Sequence, residues 1–325
     1  MSHAYSLIRE TFPGKSTFSV DDIPVLSGKV IIVTGANTGV GKETVKALLA
    51  HNAKVYIAVR SQEKAEEAIK DLREETGKDA HFLKLDLADL KSIEAAVKTF
   101  TRQGPTTVSH QEKELHVLYN NAGVMGPPID QVTAQGYDLQ FGVHVLGPFS
   151  LTKLLLPTLI ATAKSSPDGK VRVINTSSSL HLLGNLNYNK LKDGPARRKS
   201  SSLLLYCQSK YATVILSSEL ARRYGDQRIV SVCLNPGTLH SDLQRHLNKV
   251  QYAILNLILY PTPFGALSGL WAGTSVDGAN LNGKYVVPWA RLGSPRANAQ
   301  APATGEKLWE WMEEQIHSTL TAKES

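Results

Sequence analysis

Tyr206 and Lys210 stand four residues apart in an apolar-rich segment, residues 203–223, that reads as a long helix. At that spacing they share a helix face. A free phenol, with a pKa of about 10, is a poor proton donor and acceptor at neutral pH. A neighbouring ammonium favours the phenolate and brings the phenol toward the range of a useful general acid/base. A short distance upstream, Thr176, Ser177, Ser178 and Ser179 close the apolar run 170–175. A hydroxyl there could donate to a substrate carbonyl and steady negative charge developing on its oxygen. Incidental Tyr-x-x-x-Lys pairs and serine-rich loops are common, so the weight of both patterns depends on the elements around them.

Those elements begin with Lys29-Val-Ile-Ile-Val-Thr-Gly-Ala-Asn-Thr-Gly-Val-Gly-Lys42. Residues 30–33 read as a buried strand. Gly35, Gly39 and Gly41 follow. A helical pattern then sets Val45, Leu48 and Leu49 against Lys42, Glu43 and Lys46. A strand, a glycine loop and a helix start together suit a pyrophosphate: the helix offers unpaired N–H groups and the positive end of its dipole, and glycines let the backbone come close. Further strands are expected at 55–59, 81–85, 115–119, 170–175, 229–234 and 284–287. Helices are expected at 61–75, 90–101, 137–163 (despite Pro148 and Pro157), 203–223, 263–272 and 305–317. This alternation predicts an α/β, doubly wound, Rossmann-type, mostly seven-stranded parallel sheet with helices on both faces. Ligands then bind beyond the carboxyl ends of the strands. Residues 1–27, broken by Pro13-Gly14 and Asp21-Asp22, read as a loosely structured N-terminal extension, and residues 28–325 as a single domain.

Composition excludes several classes. The chain has 325 residues, 42% apolar and 20% charged, as in ordinary globular proteins. The +7 net charge is scattered and shows no nucleic-acid arm. Cys207 and Cys233 give neither a disulfide framework nor a metal pattern, and no metal is expected. No apolar secretory segment is seen at the start, and a cytoplasmic location is expected.

The end of the second strand selects the dinucleotide. An acid at that point would bind a ribose 2′-hydroxyl; the chain has Arg60 instead. A guanidinium suits a 2′-phosphate, so NADP(H) is expected over NAD(H).

With these motifs together, the chain resembles the short-chain dehydrogenase/reductase family, in particular its retinol-dehydrogenase-like and WW-domain-oxidoreductase-like members, fungal relatives included. The resemblance runs over residues 28–289. It is carried by Thr34-Gly-Ala-Asn-Thr-Gly-Val-Gly41, Leu85-Asp-Leu87, Asn120-Asn-Ala-Gly123, Tyr206-Cys-Gln-Ser-Lys210 and Asn235-Pro-Gly237. It implies that Gly35, Asn37, Thr38, Gly39, Val40 and Gly41 cradle the cofactor, with Asp86 and Leu87 near the adenine. It implies that Asn121, Ala122 and Gly123 line the adenosine ribose, with Asn120 bracing the central strands. Tyr206 would be the acid/base, and Lys210 would hold the nicotinamide ribose and tune Tyr206. Ser178 best matches the substrate-orienting serine, with Ser177 the alternative. Pro236, Gly237, Leu239 and Ser241 would border the nicotinamide and phosphates.

Two departures stand out. Where relatives place an asparagine that helps hold a water beside the lysine, this chain reads Phe141-Gly-Val-His144-Val-Leu-Gly147. His144 either serves through its backbone carbonyl, titrates near pH 6.5 and alters the pH profile, or leaves the relay weak. The stretch from Ser178 to Tyr206 is also long, which implies an inserted loop over 180–202. Residues 238–264 are dense in leucine and isoleucine and read as the apolar cover of a substrate, with peripheral membrane contact as one further use. The expected reaction is hydride exchange between NADP(H) and the carbonyl or alcohol of a hydrophobic small molecule. Alternatives are an NADP(H)-binding sensor or scaffold, and a C=C or C=N reductase. A homodimer through the two long helices is expected from the family.

Overall fold

The computed structural model describes residues 3–101, 112–240 and 258–321. Its centre is β1 (Val30–Thr34), whose five residues are all buried. The glycine loop follows, then α2 (Gly39–Ala50), β2 (Lys54–Val59), α3 (Gln62–Thr76), β3 (His81–Lys84), α4 (Leu90–Thr101) and β4 (Val117–Asn120). The second half runs through α5 (Leu139–Ser165), β5 (Val171–Thr176), a short α6 (Pro195–Arg198), α7 (Ser202–Tyr224) and β6 (Ile229–Leu234). It closes with α8 (Thr262–Thr274), β7 (Tyr285–Val287), β8 (Arg291–Gly293) and α9 (Pro302–Thr321).

The strands form one sheet in the order β3-β2-β1-β4-β5-β6-β7-β8. All pairs are parallel except β7 with β8. The order reverses between β1 and β4, which opens the crevice where a doubly wound sheet takes a ligand. One buried cluster, with Leu48, Ile57 and Leu270, packs on one face. The other, with Phe149, Leu155 and Trp309, packs on the opposite face. Burial on both faces is why the strands are continuous apolar runs.

Three features differ from the sequence expectation. The sheet has an eighth strand, because β8 is only three residues long and ends in Gly293, too short to carry a period. The N-terminal extension is not loose. It holds a helix, α1 (His3–Thr11), and a short turn at Val20–Asp22, and it buries Glu10, Phe18, Ile23 and Leu26. Its breakers hide a nine-residue helix that is stable only through docking. Finally, α9 covers part of the long-helix surface expected to pair two copies. Its Trp309 packs edge-on to Phe149, and Trp311 packs edge-on to Tyr137 and Phe141.

The long stretch between Ser178 and Tyr206 is an ordered insertion. The Arg197 guanidinium, 1% exposed, donates to Asp138 Oδ2 (3.1 Å), Asp193 Oδ1 (3.0 Å) and the Gln131 carbonyl (2.7 Å). Asp138 also caps the start of α5 by accepting from the Phe141 amide at 3.0 Å. The insertion and the helix bearing His144 are thereby fixed to each other.

Candidate active site

The carboxyl ends of β1, β2, β4, β5 and β6 surround a cavity of about 960 Å³. One part is the glycine loop. Gly35 has φ +67°, and a Cβ on it would lie 2.7 Å from the Ala122 Cα. A Cβ on Gly41 would lie 2.6 Å from the Gly35 carbonyl oxygen, so only glycine lets loop and helix close on each other. Beside Gly39 a Cβ would meet nothing, which leaves room against the backbone. The Thr38 side chain does not cap α2, so the first N–H groups of that helix remain for an anion.

The Thr34 hydroxyl ties this loop to the next. It donates to the Tyr119 carbonyl and accepts from the Asn121 and Ala122 amides, both at 3.0 Å. Asn120 Nδ2 donates to Asn175 Oδ1 at 2.9 Å, which bonds β4 to β5. Asp86 accepts from the Ala88 amide at 2.9 Å and shapes the turn beyond β3. Arg60 lies exposed beyond β2, with no hydrogen bond or ion pair among the described residues, and Ser61 and Lys64 line the cavity beside it.

At the other part of the cavity stand Ser178, Tyr206 and Lys210. The Ser177 hydroxyl is buried and donates to the Lys210 carbonyl at 2.8 Å, so it is spent on holding α7 against β5. The Ser178 hydroxyl accepts from the Leu180 amide at 3.2 Å and stands beside the Tyr206 phenol, whose pKa it lowers. Of the two serines, Ser177 is thus bonded to α7, and Ser178 stands beside the phenol. Lys210 Nζ sits 5.7 Å from the centre of the Tyr206 ring and donates to the Thr176 carbonyl at 2.9 Å.

The electrostatics differ from the sequence expectation. Burial pushes the Tyr206 phenol up to about 12, and the Ser178 hydrogen bond pulls it back only in part. Burial also pushes the Lys210 ammonium down to about 8. An ammonium does stand near the phenol, but desolvation outweighs it.

His144 is fixed as a neutral ring. Its Nε2 accepts from the Val124 amide at 3.0 Å, so Nδ1 carries the proton and faces Ser209 Oγ at 2.8 Å. Ser209 in turn donates to the Tyr206 carbonyl at 2.7 Å. Burial, then the charge of Lys210, hold the imidazole well below its ordinary range. His144 lies in a wide turn within α5, Gly142–Leu146, closed by the Gly147 amide donating to the Gly142 carbonyl. Such turns recur at functional sites. Both the bonding and the burial of the ring oppose the reading of His144 as a group titrating near pH 6.5.

Every expected site residue among the described ones borders this cavity: Gly35, Asn37, Thr38, Gly39, Val40, Gly41, Arg60, Asp86, Leu87, Asn121, Ala122, Gly123, His144, Ser178, Tyr206, Lys210, Pro236, Gly237 and Leu239. Ser241, and most of the apolar cover at 238–264, lie outside the described residues. The sequence reading missed Lys64, which follows the capping Ser61 by one turn, and Leu7 and Thr11 of α1. Their only local signal was an i, i+4 spacing inside a segment read as irregular.

The family profile described as short chain dehydrogenase matches residues 29–190. A short-chain dehydrogenase/reductase of Armillaria gallica is 55% identical over 313 residues, covering 96% of this chain and 98% of that one. The chain belongs to the short-chain dehydrogenase/reductase family. Within it, human retinol dehydrogenase 11 is 36% identical over 292 residues, covering 88% of this chain and 85% of its own. A short chain dehydrogenase of Shigella flexneri, solved in complex with NADP, superposes with a TM-score of 0.58 at 25% identity, covering 81% of this chain and 97% of its own. As a member of the short-chain dehydrogenase/reductase family, the protein is an NAD(P)-dependent oxidoreductase.

Proposed function

We propose that the protein uses NADP(H) to interconvert the carbonyl and alcohol forms of an apolar small molecule. The observation that carries this reading is one continuous cavity: Ser178, Tyr206 and Lys210 stand in one part of it, the glycine loop and Arg60 in another. The bound cofactor supplies or accepts hydride. The chain's own residues do the rest. Gly35, Gly39, Gly41 and the first turn of α2 hold the pyrophosphate. Arg60, with Lys64 beside it, faces the 2′-phosphate. Lys210 holds the nicotinamide ribose. Ser178 donates to the substrate oxygen, and Tyr206 gives that oxygen a proton in reduction or removes one in oxidation. The positive charge of an oxidised nicotinamide favours the Tyr206 phenolate and opposes the effect of burial.

The cavity wall carries the apolar side chains Met125, Leu180, Leu203 and Ile258, which suit an apolar substrate. Retinol dehydrogenase 11, by its name, acts on one such apolar alcohol. The test is steady-state oxidation of NADPH and of NADH with retinal and a range of apolar ketones and aldehydes. Turnover that prefers NADPH and vanishes in Tyr206→Phe supports the reading. Tight NADPH binding with no turnover of any carbonyl, and no effect of Tyr206→Phe, supports a cofactor-binding sensor instead. Reduction of a C=C or C=N bond in place of the carbonyl, identified from the product, overturns the substrate class.

A further inference from the structure

Among the buried carboxylates that the mechanism does not use, one reaches from α1 to the carboxyl ends of the strands. Glu10, on α1, is 3% exposed. Its Oε2 accepts from Asn235 Nδ2 at 2.9 Å and from Tyr285 Oη at 3.1 Å. Asn235 follows β6 and opens the Asn-Pro-Gly turn; its own Oδ1 accepts from the Gly237 amide at 3.0 Å. Tyr285 begins β7. One side chain of α1 is thus bonded to the ends of two neighbouring strands. A buried carboxylate is costly unless hydrogen-bonded, so this contact is a specific clasp and not generic packing.

The clasp reaches toward the chemistry. Tyr285 Oη lies 3.3 Å from His181 Nδ1, and that nitrogen lies 2.7 Å from the Ser178 carbonyl oxygen. His181 Nε2 accepts from the Arg296 amide at 3.3 Å, which puts the ring proton on Nδ1, facing Ser178. Helix α1 packs against the turn Ser179–Leu183 that follows Ser178. On the same helix, three residues before Glu10 and one after it, Leu7 and Thr11 border the cavity that holds Ser178 and Tyr206.

We propose that α1 is the outer wall of the substrate pocket, that Leu7 and Thr11 meet the apolar part of the substrate, and that Glu10 is the positioning residue fastening that wall. This rests on the reaction proposed above only for which part of the cavity takes substrate; the docking of α1 through Glu10 does not depend on it.

Glu10→Ala removes the clasp. Glu10→Gln keeps an amide oxygen that can accept the same two hydrogen bonds. Leu7→Ala enlarges the wall and leaves the clasp intact. Full-length proteins are compared by tryptic cleavage after Arg9 and Lys15 under native conditions, by the Kd for NADPH, and by KM and kcat for retinal and for acetaldehyde. For Glu10→Ala, cleavage is expected to accelerate at least about fivefold, as a locally opened helix permits. Its KM for retinal is expected to rise about tenfold, with kcat and the NADPH Kd within about twofold of the parent. Glu10→Gln restores parental behaviour. Leu7→Ala raises the retinal KM without changing cleavage. The proposal is overturned if Glu10→Ala is cleaved at the parental rate, or if KM rises equally for acetaldehyde, which is too small to reach Leu7. It is also overturned if Leu7→Ala leaves the retinal KM unchanged. If the parent reduces no carbonyl, the proposed reaction fails, and with it the substrate contact of Leu7 and Thr11, while cleavage alone decides whether Glu10 holds the helix.

Discussion

The Val124 amide donates to Nε2 of His144 at 3.0 Å, and this one bond fixes the imidazole as the neutral Nδ1–H tautomer. With its pKa held well below 6.5, the ring stays uncharged through the neutral range. Converting His144 to Asn is therefore expected to leave the shape of the kcat/KM against pH profile unchanged between pH 5.5 and 8. A limb near pH 6.5 in the parent that disappears in the variant would show that the ring titrates after all.

Ser177 and Ser178 are adjacent and chemically identical, yet one holds α7 and the other stands beside the Tyr206 phenol on the cavity wall. Ser178→Ala and Tyr206→Phe are each expected to lower kcat by roughly 10²–10⁴ while NADPH still binds. Ser177→Ala is expected to lower stability by about 1 kcal/mol with a much smaller loss of kcat. Stopped-flow single turnovers and urea melts separate the two; a Ser177→Ala defect in turnover as large as that of Ser178→Ala would reverse the assignment.

Arg60 stands at the end of β2 with Lys64 near it and without an acid partner among the described residues. Arg60→Asp is expected to weaken NADPH binding by roughly 10- to 100-fold and to leave NADH within about twofold, because only the former carries the 2′-phosphate. Titration of both dinucleotides by fluorescence measures this. Equal losses for the two would place the guanidinium elsewhere in the recognition.

Burial raises the Glu10 carboxyl to about 7 from 4.5, opposed by its hydrogen bonds from Asn235 and Tyr285. The groups that face it are the Asn235 amide, the Tyr285 phenol and, more distantly, the Cys233 thiol, with His181 beyond Tyr285. A folded-state pKa above the unfolded one gives stability that is complete below pH 4.5 and is lost as pH rises through about 7. The loss across that window is about 3 kcal/mol. Glu10→Gln should remove this slope from stability measured by urea unfolding between pH 4.5 and 8. A slope of the same size in the variant would assign it to other groups.

Arg197 is buried against Asp138, with Asp193 and the Gln131 carbonyl completing its partners. Arg197→Met leaves Asp138 buried without its cation and is expected to cost about 3–5 kcal/mol. Because Asp138 caps the start of α5, the turn bearing His144 should loosen as well, visible as faster amide exchange at residues 142–146. Unchanged exchange there would mean that the insertion and the helix start are not coupled.

Local pattern determined a large part of this protein. The apolar runs, the glycine loop and the helical periods specify an alternating chain, because a strand buried on both faces and an amphipathic helix each write their period into neighbouring residues. The same locality made Tyr206 and Lys210 legible as a pair, since four residues on a helix make one face. Arg60 was legible because the end of β2 can be located from the strand itself. Tertiary structure alone decided the rest. It bonded Ser177 to α7 and left Ser178 on the cavity wall, because that placement depends on which hydroxyl the Lys210 carbonyl takes. It raised Tyr206 and lowered Lys210, because desolvation depends on how many distant residues close over a group. It brought Glu10 to Asn235 and Tyr285 across 225 and 275 positions of chain, and no period in a nine-residue helix announces partners that remote.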